Sequence, residues 1–190
     1  MMITKDLIKS CVEGDEKSQR QLYELCFPFL MGVCIRFAQS KPDAMDFFNV
    51  GFFKILKSLK KYSGEGNFLG WAKRVMINSI IDEMRKQKMY NEHVKLLEES
   101  GLRWQVESQQ DWFDELAVSQ EEILSFISEL PLLTSSVFNL FAIEGYKHKE
   151  IANMLGIGVS ASKWHYASAK KKLQVKILKV MKSRSLSIFL

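Results

Sequence analysis

Toward the C-terminal end, lysines, an aromatic ring and small polar residues recur at helical spacing: Ser160, Ala161, Lys163, Trp164, His165 and Ser168, with Lys170 and Lys171 beyond them. The chemistry such residues offer is non-covalent. Lysines neutralise phosphates, while hydroxyl, imidazole and indole groups meet base edges. A second group is Tyr62-Ser63-Gly64-Glu65-Gly66-Asn67-Phe68-Leu69-Gly70-Trp71 with Lys73 and Arg74 after it. Its interleaved aromatic, small and basic residues suit a surface on which unstacked bases sit by stacking and phosphate neutralisation. They also suit a packed core: Phe68, Trp71 and Val75 are core types, and Asn78 and Asp82, at i and i+4, suit hydrogen bonds within the domain. Covalent chemistry has no comparable signal. There are no paired carboxylates with a convincing pocket, no nucleophile elbow and no phosphate loop, and Gly64-x-Gly66 is too short to count as one. Cys11, Cys26 and Cys34 have no metal spacing, and His93, His148 and His165 are the only histidines. No enzyme activity, cofactor, metal or small-molecule substrate is expected, and the thiols read as reduced and partly buried.

These residues must be held by helices. Residues 145–173 read as a helix-turn-helix: Lys149 to Leu155 carries Ile151, Ala152 and Leu155 on one face, and Gly156 ends the helix in a left-handed conformation with Ile157 dropping into the core. Ser160 is the expected N-cap of the second helix. Ser162, Tyr166, Ala169, Leu173, Ile177 and Val180 form its packing stripe, leaving Ser160, Ala161, Lys163, Trp164, His165 and Ser168 free, where recognition helices enter the major groove. In the N-terminal half, Asp6 to Val12 opens a helix, Gly14 breaks it and Asp15 caps a second that turns Leu22, Tyr23, Leu25 and Cys26 inward. Pro28 is expected to begin a third, with Phe29, Leu30, Val33, Cys34 and Phe37 as its stripe, and Asp43 to begin a fourth. Phe47, Phe48, Phe52, Phe53, Ile55, Leu56 and Leu59 give that last helix more apolar surface than one core face needs, so some serve either a partner or dense packing.

Strand-like alternation is nearly absent, so an all-α fold is expected. Charge divides the chain: residues 1–91 hold 15 Lys/Arg against 10 Asp/Glu, and residues 144–190 hold 10 against 2. Between Asn91 and Glu122 nine acids face two bases. Two basic lobes joined by an acidic tether suggest polyanion binding on both sides. The expected organisation is a helical bundle over 1–90, an acidic linker over 91–118 and a helix-turn-helix domain over 119–190. Trp104, Trp112 and Phe113 make the tether less polar than a pure linker, and Ser185 to Leu190 form an apolar tail. Neither a signal-peptide run nor about 20 consecutive apolar residues occurs, so the chain is expected to be cytoplasmic.

Three motifs in order resemble the RNA polymerase sigma factors of the extracytoplasmic-function type, particularly the Bacteroidetes-like variants. Asp43-Ala44-Met45-Asp46-Phe47-Phe48-Asn49 is similar to the family's D-x-x-D-hydrophobic-hydrophobic-Q-E helix, which grips the polymerase clamp. Residues 64–71 with Asn78, Asp82, Arg85 and Lys86 resemble its promoter-melting segment, with the pattern F-x-x-W and N-x-x-x-D-x-x-R-K. Glu144 to Ala152 and Ser162-Lys163-Trp164-His165 resemble its C-terminal helix-turn-helix.

The resemblance implies a non-enzymatic specificity subunit with core RNA polymerase and promoter DNA, single-stranded and duplex, as partners, and an anti-sigma factor as its inhibitor. Polymerase binding falls to Asp43, Asp46, Phe47, Asn49, Phe52 and Phe53. Base capture from the melted strand falls to Glu65, Gly66, Asn67, Phe68 and Asn78, and strand contact to Trp71, Lys73 and Arg74. The upstream duplex falls to Ser160, Ala161, Lys163, Trp164, His165, Ser168, Lys170 and Lys171. The chain departs from the pattern at Asn49-Val50, in place of Gln-Glu, and in a recognition helix without arginine, which lacks bidentate guanine contacts at those positions. Two other classes share the same residues. A stand-alone helix-turn-helix regulator with an N-terminal effector or dimerisation module would bind DNA without polymerase, and a helical adaptor would bind acidic partners or lipid in a salt-sensitive, sequence-blind way.

Overall fold

The computed structural model describes residues 3–92 and 119–187, which fall in two compact units, Met1–Leu96 and Leu97–Leu190. Most of the expected acidic tether, with Trp104, Trp112 and Phe113, and the last three residues of the apolar tail lie outside the described residues. Among the described residues there are helices and no strands.

The first unit contains α1 (Lys5–Glu13), α2 (Glu16–Phe37), α3 (Lys41–Ser58), a short 3₁₀ turn (Leu59–Lys61) and α4 (Phe68–Glu92). Thr4 caps α1 by accepting from the Leu7 N–H at 3.2 Å, and Gly14 closes it at φ 92°, in the left-handed region that glycine adopts without cost. Asp15 caps α2, as its position predicts, accepting from the Ser18 N–H at 2.8 Å. Pro28 does not begin a new helix: α2 runs through it. The buried stripe Leu22, Cys26, Leu30, Val33, Cys34 and Phe37 is continuous across that position, and its burial outweighs the one backbone hydrogen bond a proline removes. Helix α3 begins two residues before Asp43, because the Ser40 hydroxyl accepts from the Asp43 N–H at 3.2 Å and Pro42 fits the first turn.

The core of this unit is aromatic. Tyr23 packs edge-on against Phe48 and Phe52, ring centroids 5.1 Å apart in both pairs, and Phe27 meets Phe48 at 5.0 Å. Phe48, Ile55, Met76, Ile77 and Ile80 are fully buried where α3 lies on α4. Gly51 faces Met76 there, and the missing Cβ makes room for the methionine sulfur.

The second unit contains α5 (Gln120–Ser128), α6 (Leu132–Phe138), a π-helical segment (Asn139–Ile143), α7 (His148–Leu155) and α8 (Val159–Ser187). Ser119 and Glu122 form a reciprocal capping box at the start of α5. Ile127, Leu130, Phe138, Ala169 and Leu173 make the core in which α5 and α6 meet α8. Lys176 holds α8 to α5 by pairing with Glu129 and lying over the Phe126 ring. Helix α7 starts with the Lys147 N–H donating to the Glu150 carboxylate at 2.7 Å and ends at Gly156, φ 65°, as its sequence indicates. Ser160 is not the cap of α8. The helix starts at Val159, and the Gly158 carbonyl accepts the first intrahelical bond, from the Ser162 N–H at 3.0 Å.

Candidate nucleic-acid interface

Loop 62–67 is built by its own backbone. Gly64 and Gly66 adopt φ 76° and 77°, and the Tyr62 hydroxyl donates to the Gly66 carbonyl at 3.0 Å. The Asn67 side-chain oxygen accepts from the Leu69 N–H at 3.0 Å while its carbonyl accepts from the Trp71 N–H, so Asn67 caps α4. Beneath the loop, Tyr62, Phe68 and Trp71 form a three-ring cluster with centroids 5.2–5.5 Å apart. Phe68, expected to touch DNA, is buried in this cluster and serves as the loop's anchor. Glu65, Gly66 and Asn67 remain exposed, Trp71 and Lys73 are half-buried, and Arg74 and Asn78 are exposed on α4. A cavity of about 510 Å³ opens between this loop and α1, lined by Lys5, Leu25, Tyr62, Gly66, Asn67 and Phe68 among others. Its lining is mainly apolar, with Ile3, Ile8, Leu25, Phe68 and Leu69, and the Lys5 ammonium and Asn67 amide are among its polar groups. Asp82 does bond within the domain, pairing with Lys54 of α3 at 3.1 Å, and so leaves Asn78 as the outward amide of the motif.

On α3 the expected six residues separate. Phe47 and Phe52 are buried, so they are part of the core rather than of a partner surface. Asp43 is half-buried in the first turn, whereas Asp46, Asn49 and Phe53 are exposed, Phe53 at 56%. Asp46, Asn49, Val50, Phe53 and Lys57 therefore make one outward strip at spacings of three and four, with the Lys57 ammonium 4.3 Å from the Phe53 ring centre. Lys57 was not among the expected residues, although its i+4 spacing from Phe53 places it there.

In the second unit Trp164 and Lys171 are exposed on α8, with Ser160 and Lys163 exposed beside them and Ala161, Ser168 and Lys170 half-buried. His165 is also half-buried. Its Nδ1 lies 3.0 Å from the Thr134 hydroxyl and its ring packs edge-on against Trp164, so one ring nitrogen is engaged inside the domain and not with a base. His148 was not an expected site residue. It stacks on Phe141 at 4.3 Å with its Nδ1 2.9 Å from Ser162 Oγ, and burial, then the Lys163 charge, hold its pKa below the ordinary histidine value. No group of three or more His, Cys, Asp or Glu among the described residues is placed to hold a metal.

Residues 22–89 match the family model described as Sigma-70 region 2, and residues 120–173 the model described as Sigma-70, region 4. The chain belongs to the sigma-70 family. It is similar to the RNA polymerase sigma factor SigV of Bacillus subtilis, 21% identical over 176 residues that cover 93% of this chain and 94% of that one. It is likewise similar to the ECF RNA polymerase sigma-E factor of Haemophilus influenzae, 23% identical over 181 residues covering 92% and 95%. Among solved structures it aligns with the sigma factor RpoE of Bartonella quintana, crystallised with the anti-sigma factor NepR, at 18% identity and a TM-score of 0.48, covering 85% of this chain and 96% of that one. The protein is a sigma factor of the extracytoplasmic-function type: it binds core RNA polymerase and directs promoter recognition, DNA melting and transcription initiation. In the sigma factor the first unit carries region 2 and the second carries region 4.

Proposed function

We propose that the sigma factor divides its work by surface. Asp46, Asn49, Val50, Phe53 and Lys57 on α3 meet polymerase; Glu65, Gly66, Asn67 and Asn78 take a base flipped from the melted strand, with Trp71, Lys73 and Arg74 along its backbone; Ser160, Ala161, Lys163, Trp164, Ser168, Lys170 and Lys171 meet the upstream duplex. The observation that supports the second assignment is the exposed loop 65–67, of which Gly66 and Asn67 line a cavity together with Tyr62 and Phe68. Holding a base outside the stack costs a few kcal/mol, which ring stacking and edge hydrogen bonds in such a pocket offset. The duplex surface has lysines but no arginine, so its contacts rest mainly on phosphates.

In this reading the protein is a regulatory subunit rather than an enzyme, a Bacteroidetes-like variant of its type, and acts in the cytoplasm; no described helix is long and apolar enough to cross a membrane. The domains follow the charge division at 1–90, 91–118 and 119–190, and an anti-sigma factor is the regulator, testable by co-purification of a one-to-one inhibitor complex. The test of the base-capture assignment is permanganate reactivity of unpaired thymines on a promoter template with core polymerase and Asn67→Ser or Glu65→Ala. Serine preserves the cap of α4, so both variants should bind polymerase normally and open the template poorly. Normal opening by both would remove the loop from strand capture.

A further inference from the structure

Helix α8 is held differently along its length. From Ala169 to Lys182 its buried residues are apolar, Ala169, Leu173 and Ile177. From Val159 to Ser168, the part that carries the duplex-reading side chains, the buried residue is a serine, Ser162, at 0% exposure. Its hydroxyl lies 2.9 Å from His148 Nδ1 on α7. Three residues further on, His165 Nδ1 lies 3.0 Å from the hydroxyl of Thr134 on α6, itself 3% exposed. Ser162 and His165 are adjacent on the inner side of α8, so the two bonds reach it from two different helices. The rings of Phe141, His148 and Tyr166 pack against one another beside the first bond, which keeps the His148 imidazole in one plane.

Resting on the reading of α8 as the duplex-reading helix, we propose that these two imidazole–hydroxyl pairs fix its rotation and depth. His148 and Thr134 are then positioning residues for promoter recognition, and His165 contributes by holding the helix. Apolar contacts tolerate small sliding and rotation, whereas a hydrogen bond weakens steeply when its angle or length departs from the favoured range. Two such bonds from separate anchors leave one setting in which both are made. That matters for this helix because its outward lysines supply affinity without sequence information, so discrimination depends on where Trp164, Ala161 and Ser168 stand relative to base edges.

The test uses the full chain assembled with core polymerase. The probe is a duplex enriched by the wild-type protein from a randomised pool, and the competitor is random-sequence duplex. Ser162→Ala and Thr134→Val remove a hydroxyl at nearly constant volume, and Thr134→Ser restores one. His148→Phe keeps the ring stacked on Phe141 and deletes Nδ1. Preference for the enriched duplex should fall about fivefold in Ser162→Ala, His148→Phe and Thr134→Val, the factor one net hydrogen bond commands. Thr134→Ser should retain it. The salt dependence of binding should stay at the wild-type slope in every variant, because no phosphate contact is removed.

A purely structural role would lower the melting temperature and leave the preference among folded molecules unchanged. The double variant His148→Phe with Ser162→Val, which replaces the bond by an apolar contact, separates the two. Wild-type preference in that variant would overturn the proposal. If Ser162→Ala fails to fold, Thr134→Val against Thr134→Ser applies the same test from α6. A wild-type protein that shows no preference between enriched and random duplex overturns the assignment of α8 itself, a result distinct from equal preference in wild type and variants.

Discussion

Replacing Lys163 and Lys171 by alanine tests the duplex surface most quantitatively. Both lysines are exposed on α8, where Lys163 acts within the unit as a like charge on His148, so the double substitution should change folding stability by no more than about 0.5 kcal/mol. Each phosphate contact contributes about 0.9 to the slope of log affinity against log salt, so losing two contacts flattens the slope by about 1.8. Over a fourfold rise in salt, from about 50 to about 200 mM, wild-type affinity should therefore fall about twelvefold further than that of the variant. The assay is fluorescence anisotropy of a labelled upstream duplex titrated with holoenzyme at several salt concentrations. Lys9→Ala, on an exposed position of α1, is the control and should leave the slope unchanged. An unaltered slope in the double variant, with the protein folded, would refute the placement of both lysines at phosphates.

Other substitutions probe the remaining surfaces and the core. Phe53→Asp should keep the melting temperature, since the ring is largely exposed, yet weaken association with core polymerase tenfold or more on gel filtration, the order of cost for truncating a central interface aromatic. Gly51→Ala adds a methyl against the Met76 sulfur inside the α3–α4 contact. The overlap costs about 1–3 kcal/mol, against about 1 kcal/mol gained in helix propensity. A double-mutant cycle with Met76→Ala, read by urea unfolding, should show coupling of about 0.5 kcal/mol or more, because shrinking the methionine relieves the overlap. Burial pushes the Cys26 and Cys34 thiols up to about 12, so both should resist a thiol reagent at neutral pH until the protein is unfolded. The lowered pKa of His148 means that the folded chain holds fewer protons than the unfolded one between that value and 6.5, so stability rises with pH across that window and is lost as pH falls through it. The melting temperature of His148→Gln should accordingly depend less on pH than that of wild type over the same range.

The local punctuation of the chain was legible without coordinates. Asp15 and Gly156 delimit helices where they stand because a cap carboxylate and a left-handed glycine act on their own neighbours, and the stripe from Ser162 to Val180 follows from helical period alone. What escaped depends on partners distant in sequence. Nothing local distinguishes Phe47 and Phe52, which are buried, from Phe53, which faces outward; the division is made by α2 and α4. Phe68 looked like a stacking platform and became an anchor because Tyr62 and Trp71 close over it. Pro28 broke the expected helix on paper, but the continuity of a buried stripe carried α2 across it. The Ser119-x-x-Glu122 box that opens α5 was missed, although its pattern is local. Helical period placed Ser162 on the inner stripe, but neither its bond to His148 nor the role of Thr134 was legible, since a hydroxyl reveals its partner only when the facing imidazole is known.

Run-off transcription with purified bacterial core RNA polymerase on a library of randomised promoters tests the division of labour most directly, with wild type compared to Phe53→Asp, Glu65→Ala and Lys163→Ala with Lys171→Ala. The wild-type protein should associate stably with core polymerase and produce promoter-dependent transcripts. Phe53→Asp should fail at association, Glu65→Ala at opening and the lysine variant at salt-sensitive promoter binding. Duplex binding by the wild-type chain without polymerase association, or one common defect in all three variants, would contradict it.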